Sequence, residues 1–105
     1  MLKIEHDSII IIVIFVGQHC VYILYSTKDN NLYVGYTSDI NDRMTRHNNG
    51  HVASTKNRRP LILIHCEYHE HKEKALERER YLKSLRAARE KQRIKDQCLN
   101  GSGLI

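Results

Sequence analysis

An α+β fold is predicted for this 105-residue chain, and three observations predict it. Two β-rich runs, 20–25 and 32–37, flank a polar turn, a further apolar run starts at 61, and helix-like periodicity fills the segments between and after them. The predicted order is strand, strand, helix, strand, helix, helix, with an extra strand before the first as an option. A chain of this length makes one small domain with a single modest core. Its 17 Lys and Arg outweigh 12 Asp and Glu, a net charge of +5 that suits a polyanionic partner without requiring one. Cys20, Cys66 and Cys98 are odd in number and widely spaced, which indicates neither a disulfide framework nor a zinc knuckle and fits a reducing cytoplasm.

The N-terminal segment is the least conventional. Residues 9–16, Ile-Ile-Ile-Ile-Val-Ile-Phe-Val, form an eight-residue apolar run, too short for the roughly 20 residues a helix needs to cross a bilayer. Acidic residues precede it and no small-residue cleavage pattern follows, so it is not a secretory signal. Its β-branched composition favours a strand. It is either an extra strand on the sheet or a leader the domain does not need.

From Cys20 the pattern is regular. Val21, Ile23 and Tyr25 alternate with Tyr22 and Leu24, the polar turn Lys28-Asp29-Asn30-Asn31 follows, and Leu32 to Thr37 completes a hairpin. An antiparallel pair can bring Tyr22 near Tyr33, and Gly35 marks a bulge or a close approach to the backbone. Taken singly, each tyrosine reads as a half-buried strand aromatic. Ser38 or Asp39 then caps a helix that runs to about Asn48 and stops at Asn49-Gly50. Its inward stripe is Ile40, Arg43, Met44 and His47. The arginine and histidine must either reach the surface or line a cleft, and Asp39 with Arg43 also has the spacing of a surface ion pair.

Residues 50–60 form a basic loop. Lys56, Arg58 and Arg59 cluster there with Ser54 and Thr55, a set able to bind phosphate oxygens without reading bases. The run Leu61 to Ile64 continues into His65-Cys66-Glu67-Tyr68 as a third strand, expected in the centre of the sheet because the run is solid. His65, Glu67, His69 and His71 recur at alternate positions but match no standard zinc spacing, and a solvated strand exit is the plainer reading. From His71 a helix places Ala75, Leu76, Glu79, Leu82 and Lys83 on its inward face. Burying the Glu79 carboxylate is costly unless it pairs with an inward cation such as Arg43 or holds a metal. Ser84 is expected to cap a last helix, Leu85 to about Gln97, whose Arg86, Arg89, Lys91, Arg93 and Lys95 make a basic surface. Gly101-Ser102-Gly103 reads as a frayed end. The chain has no internal repeat, Walker loop, Rossmann glycines or Ser-His-Asp signature.

Five spaced elements now stand in order: Val21-Tyr22-Ile23, Tyr33-Val34-Gly35, Asp39-x-x-x-Arg43-x-x-x-His47-Asn48, Thr55-x-x-Arg58-Arg59-Pro60 and Ala75-x-x-x-Glu79-x-x-Leu82-Lys83. Together they resemble the GIY-YIG nuclease family, and more narrowly its small single-domain members, similar to the N-terminal nuclease domain of the excision-repair UvrC protein. The likeness spans Cys20 to Lys95; Val21 stands where the first motif is named for a glycine.

The resemblance implies a three-stranded antiparallel sheet flanked by helices. It divides the chain into a leader at 1–19, a nuclease domain at 20–97 and a tail at 98–105. It further implies a divalent-metal-dependent DNA endonuclease, nicking or structure-selective, working in repair or recombination. In that scheme Glu79 holds Mg²⁺ or Mn²⁺ and Arg43 steadies the scissile phosphate. Tyr33 takes a proton from the attacking water, Tyr22 orients that water or assists, and His47 positions groups or transfers a proton. Lys56, Arg58 and Arg59 contact DNA, and no membrane is involved. No reading module is attached, so target choice falls to this domain, a protein partner or DNA shape. The alternative is a non-catalytic nucleic-acid-binding module on the same fold. Retention of the whole polar set favours the enzyme, because a binder has no need of an inward carboxylate beside a phosphate site.

Overall fold

Strand β1 (His19–Ser26) lies between β2 (Leu32–Thr37) and β3 (Leu61–His69) and is antiparallel to both. The computed structural model describes residues 18–104, so the reading of the apolar run at 9–16 lies outside the described residues. Helices α1 (Ile40–Asn48), α2 (Lys72–Lys83) and α3 (Ala88–Leu104) complete the α+β fold in the predicted order, with short 3₁₀ turns at Lys56–Arg58 and Leu85–Ala87.

Every residue of β1 from Cys20 to Ser26 is buried, and successive side chains enter opposite layers. Val21 and Ile23 pack with Val34, Ala75, Leu82 and Ala87 under α2 and α3. Cys20, Tyr22 and Leu24 pack with Leu61, against Tyr33, Ile40, Met44 and Cys66, on the α1 side. Burying each large aliphatic side chain contributes about 1.5–3 kcal/mol, so this single strand anchors both layers.

Three local expectations change. The central strand is β1 rather than β3. Within the run at 61–64 only Leu61 is buried; Ile62 and Leu63 remain 48% and 38% exposed, because among the described residues β3 pairs only with β1. Ser84 both closes α2 and precedes a 3₁₀ turn that leads into α3, but its hydroxyl does not cap the later helix: it donates back to the Tyr81 carbonyl at 2.6 Å. The helix then continues to Leu104, through the segment expected to fray.

The histidine-rich strand exit is not simply solvated. Glu67 accepts from His65 Nε2 at 2.7 Å, from His69 Nε2 at 3.1 Å and from Arg78 Nε at 2.6 Å. Arg78 also bonds Glu90, which ties β3, α2 and α3 together. Burial alone would raise the Glu67 carboxyl, but the Arg78, His65 and His69 hydrogen bonds outweigh it and bring it down to about 2.

A carboxyl held below its unfolded value stabilises the fold above that value, and the stabilisation is lost as pH falls through the folded one. Glu67→Gln is therefore expected to cost about 1.5–3 kcal/mol at pH 7, the range of charge-assisted hydrogen bonds. In urea unfolding the gap between parent and variant should narrow as pH is lowered from about 4.5 towards 2.

Candidate active site

Cross-strand register sets the floor of the site. Tyr22 stands opposite Gly35, and Leu24 stands opposite Tyr33, which makes the two tyrosines diagonal neighbours on the α1 face with ring centroids 6.4 Å apart. Gly35 is required here for space. A Cβ at that position would lie 2.4 Å from both Cζ and the hydroxyl oxygen of Tyr22, so the phenol lies directly over the β2 backbone. The bare glycine lets Tyr22 pass over β2 and reach α1.

Helix α1 supplies the next two groups. Asp39 caps it, as the sequence predicts, by accepting from Asp42 N at 3.0 Å, rather than acting as the surface partner that its spacing from Arg43 also allowed. Gly50, at φ +77°, turns the chain after the helix, a conformation glycine adopts without steric cost. His47, in the last turn, is wholly buried, and its Nε2 lies 2.9 Å from the Tyr22 hydroxyl. Its ring also meets Tyr33 edge-on, with centroids 5.4 Å apart. The Arg43 guanidinium faces the Tyr22 hydroxyl and favours its charged form through charge and hydrogen bonding. Burial nevertheless dominates, helped by Tyr33, and pushes the Tyr22 phenol up to about 12. Burial, then the Arg43 charge, lowers His47 from its ordinary value. Tyr22 is thus held as a neutral phenol and His47 as a neutral imidazole.

Glu79 comes from α2. Its negative charge is felt at Tyr22, where it opposes ionisation of the phenol. Its side chain is only 17% exposed and pairs at 3.2 Å with Lys83, an exposed lysine one turn along the same helix, rather than with the inward Arg43. Among the described residues no group of three or more His, Cys, Asp or Glu is arranged to hold a metal. A lone carboxylate still fits a hard cation that keeps most of its waters, which is how Mg²⁺ commonly binds.

The basic loop is more structural than its composition implied. Arg58 Nε bonds Asp29 at 2.6 Å, and this contact holds the Asp29 carboxyl well below the usual carboxylate range. Arg59 donates to the carbonyls of Lys56 and Asn48 at 3.0 and 3.3 Å, and Ser26 Oγ donates to the Arg58 carbonyl at 2.6 Å. These bonds fasten the loop to the hairpin turn and to the end of α1. Lys56 is exposed. Thr55, read in sequence as one of a phosphate-binding set, is wholly buried with its hydroxyl 2.7 Å from His47 Nδ1. Ser54 Oγ reaches the Tyr33 hydroxyl at 3.4 Å. Only the position of Thr55 inside the fourth spaced element hinted at a more specific place for it.

A small antiparallel sheet carrying two tyrosines, a helix with a half-buried arginine and a buried histidine, and a second helix with a half-buried carboxylate reproduce the sequence pattern of a nuclease catalytic domain. The chain belongs to the GIY-YIG catalytic domain family, whose model matches residues 18–94. It is 42% identical over 69 residues to a UPF0213 protein of Staphylococcus haemolyticus, covering 65% of this chain and 83% of that one. It is 38% identical over 82 residues to a UPF0213 protein of Natronomonas pharaonis, covering 77% and 95%, and 40% identical over 80 residues to one of Staphylococcus aureus, covering 75% and 96%. No solved structure matches significantly.

The fit of Tyr22 over Gly35 is checked by a double-mutant cycle. Gly35→Ala is expected to destabilise the domain by about 1–3 kcal/mol, the cost of overpacking. The same change in a Tyr22→Ala background should cost less, with a coupling of at least about 1 kcal/mol in denaturant unfolding.

Proposed function

We propose that the chain is a divalent-metal-dependent DNA endonuclease that hydrolyses phosphodiester bonds, nicking duplexes or selecting particular DNA structures, as repair and recombination require. The observation that carries this reading is the gathering of Tyr33, Arg43 and His47 around the buried Tyr22 hydroxyl, with the Glu79 carboxylate close enough to act on the same phenol. A module that only binds DNA gains nothing from a half-buried carboxylate beside a phosphate site, since it repels the phosphate.

Each group has work suited to its surroundings. Arg43 is half-buried, and with part of its guanidinium towards Tyr22 it retains donors for a nonbridging phosphate oxygen. Tyr33 is also only half-buried and its hydroxyl lies beside the exposed Ser54, which supports it as the tyrosine that, once ionised to the phenolate, accepts a proton from the attacking water. Tyr22 has no exposed surface and a phenol pushed up to about 12, so its part is to hold Arg43 and His47 in place. His47, equally buried, positions Tyr22 and the edge of the Tyr33 ring rather than touching phosphate. Glu79 would hold the cation, Mg²⁺ or Mn²⁺, displacing or sharing with Lys83. When bound, the ion supplies charge neutralisation at the phosphoryl oxygens. Of the three loop cations, Lys56 is the one presented outward for a DNA phosphate, whereas Arg58 and Arg59 shape the loop that presents it.

Incubation with supercoiled and branched DNA tests the reading. Cleavage is expected in Mg²⁺ and none in EDTA, and Glu79→Ala or Arg43→Ala should lower the rate by roughly 10²–10³-fold, the usual worth of a group that stabilises transition-state charge. Undiminished cutting by Glu79→Ala rejects it. In salt titrations of DNA binding, Lys56→Ala should reduce the slope of log K against log salt by about one. Arg58→Ala should instead lower the melting temperature.

A further inference from the structure

Tyr22, His47 and Thr55 come from three separate segments, β1, the last turn of α1 and the basic loop, and all three are completely shielded from solvent. Their polar atoms form a continuous chain: Tyr22 hydroxyl to His47 Nε2 at 2.9 Å, and His47 Nδ1 to Thr55 Oγ1 at 2.7 Å. Thr55 Oγ1 continues to the Val52 carbonyl at 3.5 Å. Among the described residues no buried side-chain nitrogen or oxygen is left without a partner, so the chain is closed at both ends.

Its direction follows from the Val52 end. That carbonyl can only accept, so the Thr55 hydroxyl proton is directed at it and Thr55 Oγ1 accepts from His47 Nδ1–H. A neutral imidazole protonated on Nδ1 has a bare Nε2, and the Tyr22 phenol donates to it, which leaves the lone pairs of the phenol for the Arg43 charge.

We propose that Thr55 is a positioning residue that fixes His47 as the Nδ1–H tautomer and thereby turns the lone pairs of the Tyr22 oxygen towards Arg43. The hydrogen bonds run in one sense, Tyr22 to His47 to Thr55 to Val52. Reversing any one of them reverses the rest. Without an acceptor at position 55, His47 shifts to the Nε2–H tautomer and itself donates to Tyr22, in competition with the guanidinium. Arg43 then loses the partner that aims it. A second proton on His47 has the same consequence, and the burial and positive neighbour that lower its affinity for protons guard against it.

The kinetic part of this inference rests on the endonuclease reading, whereas the tautomer does not, so the two are measured separately. In ¹⁵N-histidine-labelled protein, two-bond ¹H–¹⁵N spectra are expected to show a protonated Nδ1 and a bare Nε2 at His47. Thr55→Val should convert His47 to the Nε2–H form and lower kcat by about tenfold or more, as expected for a lost hydrogen bond to a charged group, with KM within about twofold. Thr55→Ser, which keeps the acceptor, should restore both. A parent spectrum showing Nε2–H at His47 overturns the proposal whatever the variants do, as does a Thr55→Val protein with the parental tautomer and turnover. If Thr55→Val does not fold, the parent spectrum and the Thr55→Ser rescue of tautomer and rate decide. If the parent does not cleave DNA, the endonuclease reading fails and the tautomer still stands or falls on its own spectrum.

Discussion

A hydroxyl without access to water must find its hydrogen bonds inside the protein, and the hydroxyl of Tyr22 is the one around which this domain is arranged. Its position is set by the missing side chain at Gly35, which lets the ring cross the backbone of β2. Its partners come from α1, which brings His47 and Arg43 to the same oxygen. The cap at Asp39, the turn at Gly50 and the fastening of the loop by Arg58 and Arg59 serve that meeting, because each fixes an end of the segment between Thr37 and Leu61.

The two faces of the sheet divide the work. Under α2 and α3 the contacts are aliphatic, with one polar tie at Glu67 and Arg78 at the margin, and this layer makes the domain stable. Under α1 the layer is part apolar and part hydrogen-bonded, and its polar groups, joined by Glu79 from α2, are those assigned to chemistry. Because β1 sends alternate side chains to both, a shift of its register by one residue would exchange core and site completely. Its pairing on both edges makes such a shift costly.

Much of this could be read from residue order. Periodicity identifies the strands and helices, and helical phase alone places Arg43, His47 and Glu79 on inward stripes. Pairwise choices among polar side chains were not legible. Asp39 has the spacing of a partner for Arg43 but caps the helix, and Glu79 takes its cation from the exposed Lys83 one turn along its own helix. Thr55 looked like a surface hydroxyl because its neighbours Ser54, Lys56 and Asn57 are exposed. The loop's path, which turns Thr55 alone inward, depends on contacts with the hairpin more than 25 residues away in sequence, such as Arg58 with Asp29. The solid apolar run of β3 misled in the opposite sense, since β1 carries a run nearly as apolar and is the strand with partners on both sides.

The pairing of Glu79 with Lys83 bears on how such a surface meets a polyanion at all. A naked carboxylate in the path of a DNA strand would raise the electrostatic work of approach. With its own ammonium one helical turn away, Glu79 is half of a locally neutral couple, and under the proposed function the lysine would be free to turn to the phosphates once a divalent ion took the carboxylate. Charge at this corner of α2 would then be rearranged during encounter rather than carried in advance. The chain can keep an acidic group at its centre while presenting DNA with a surface that is positive overall.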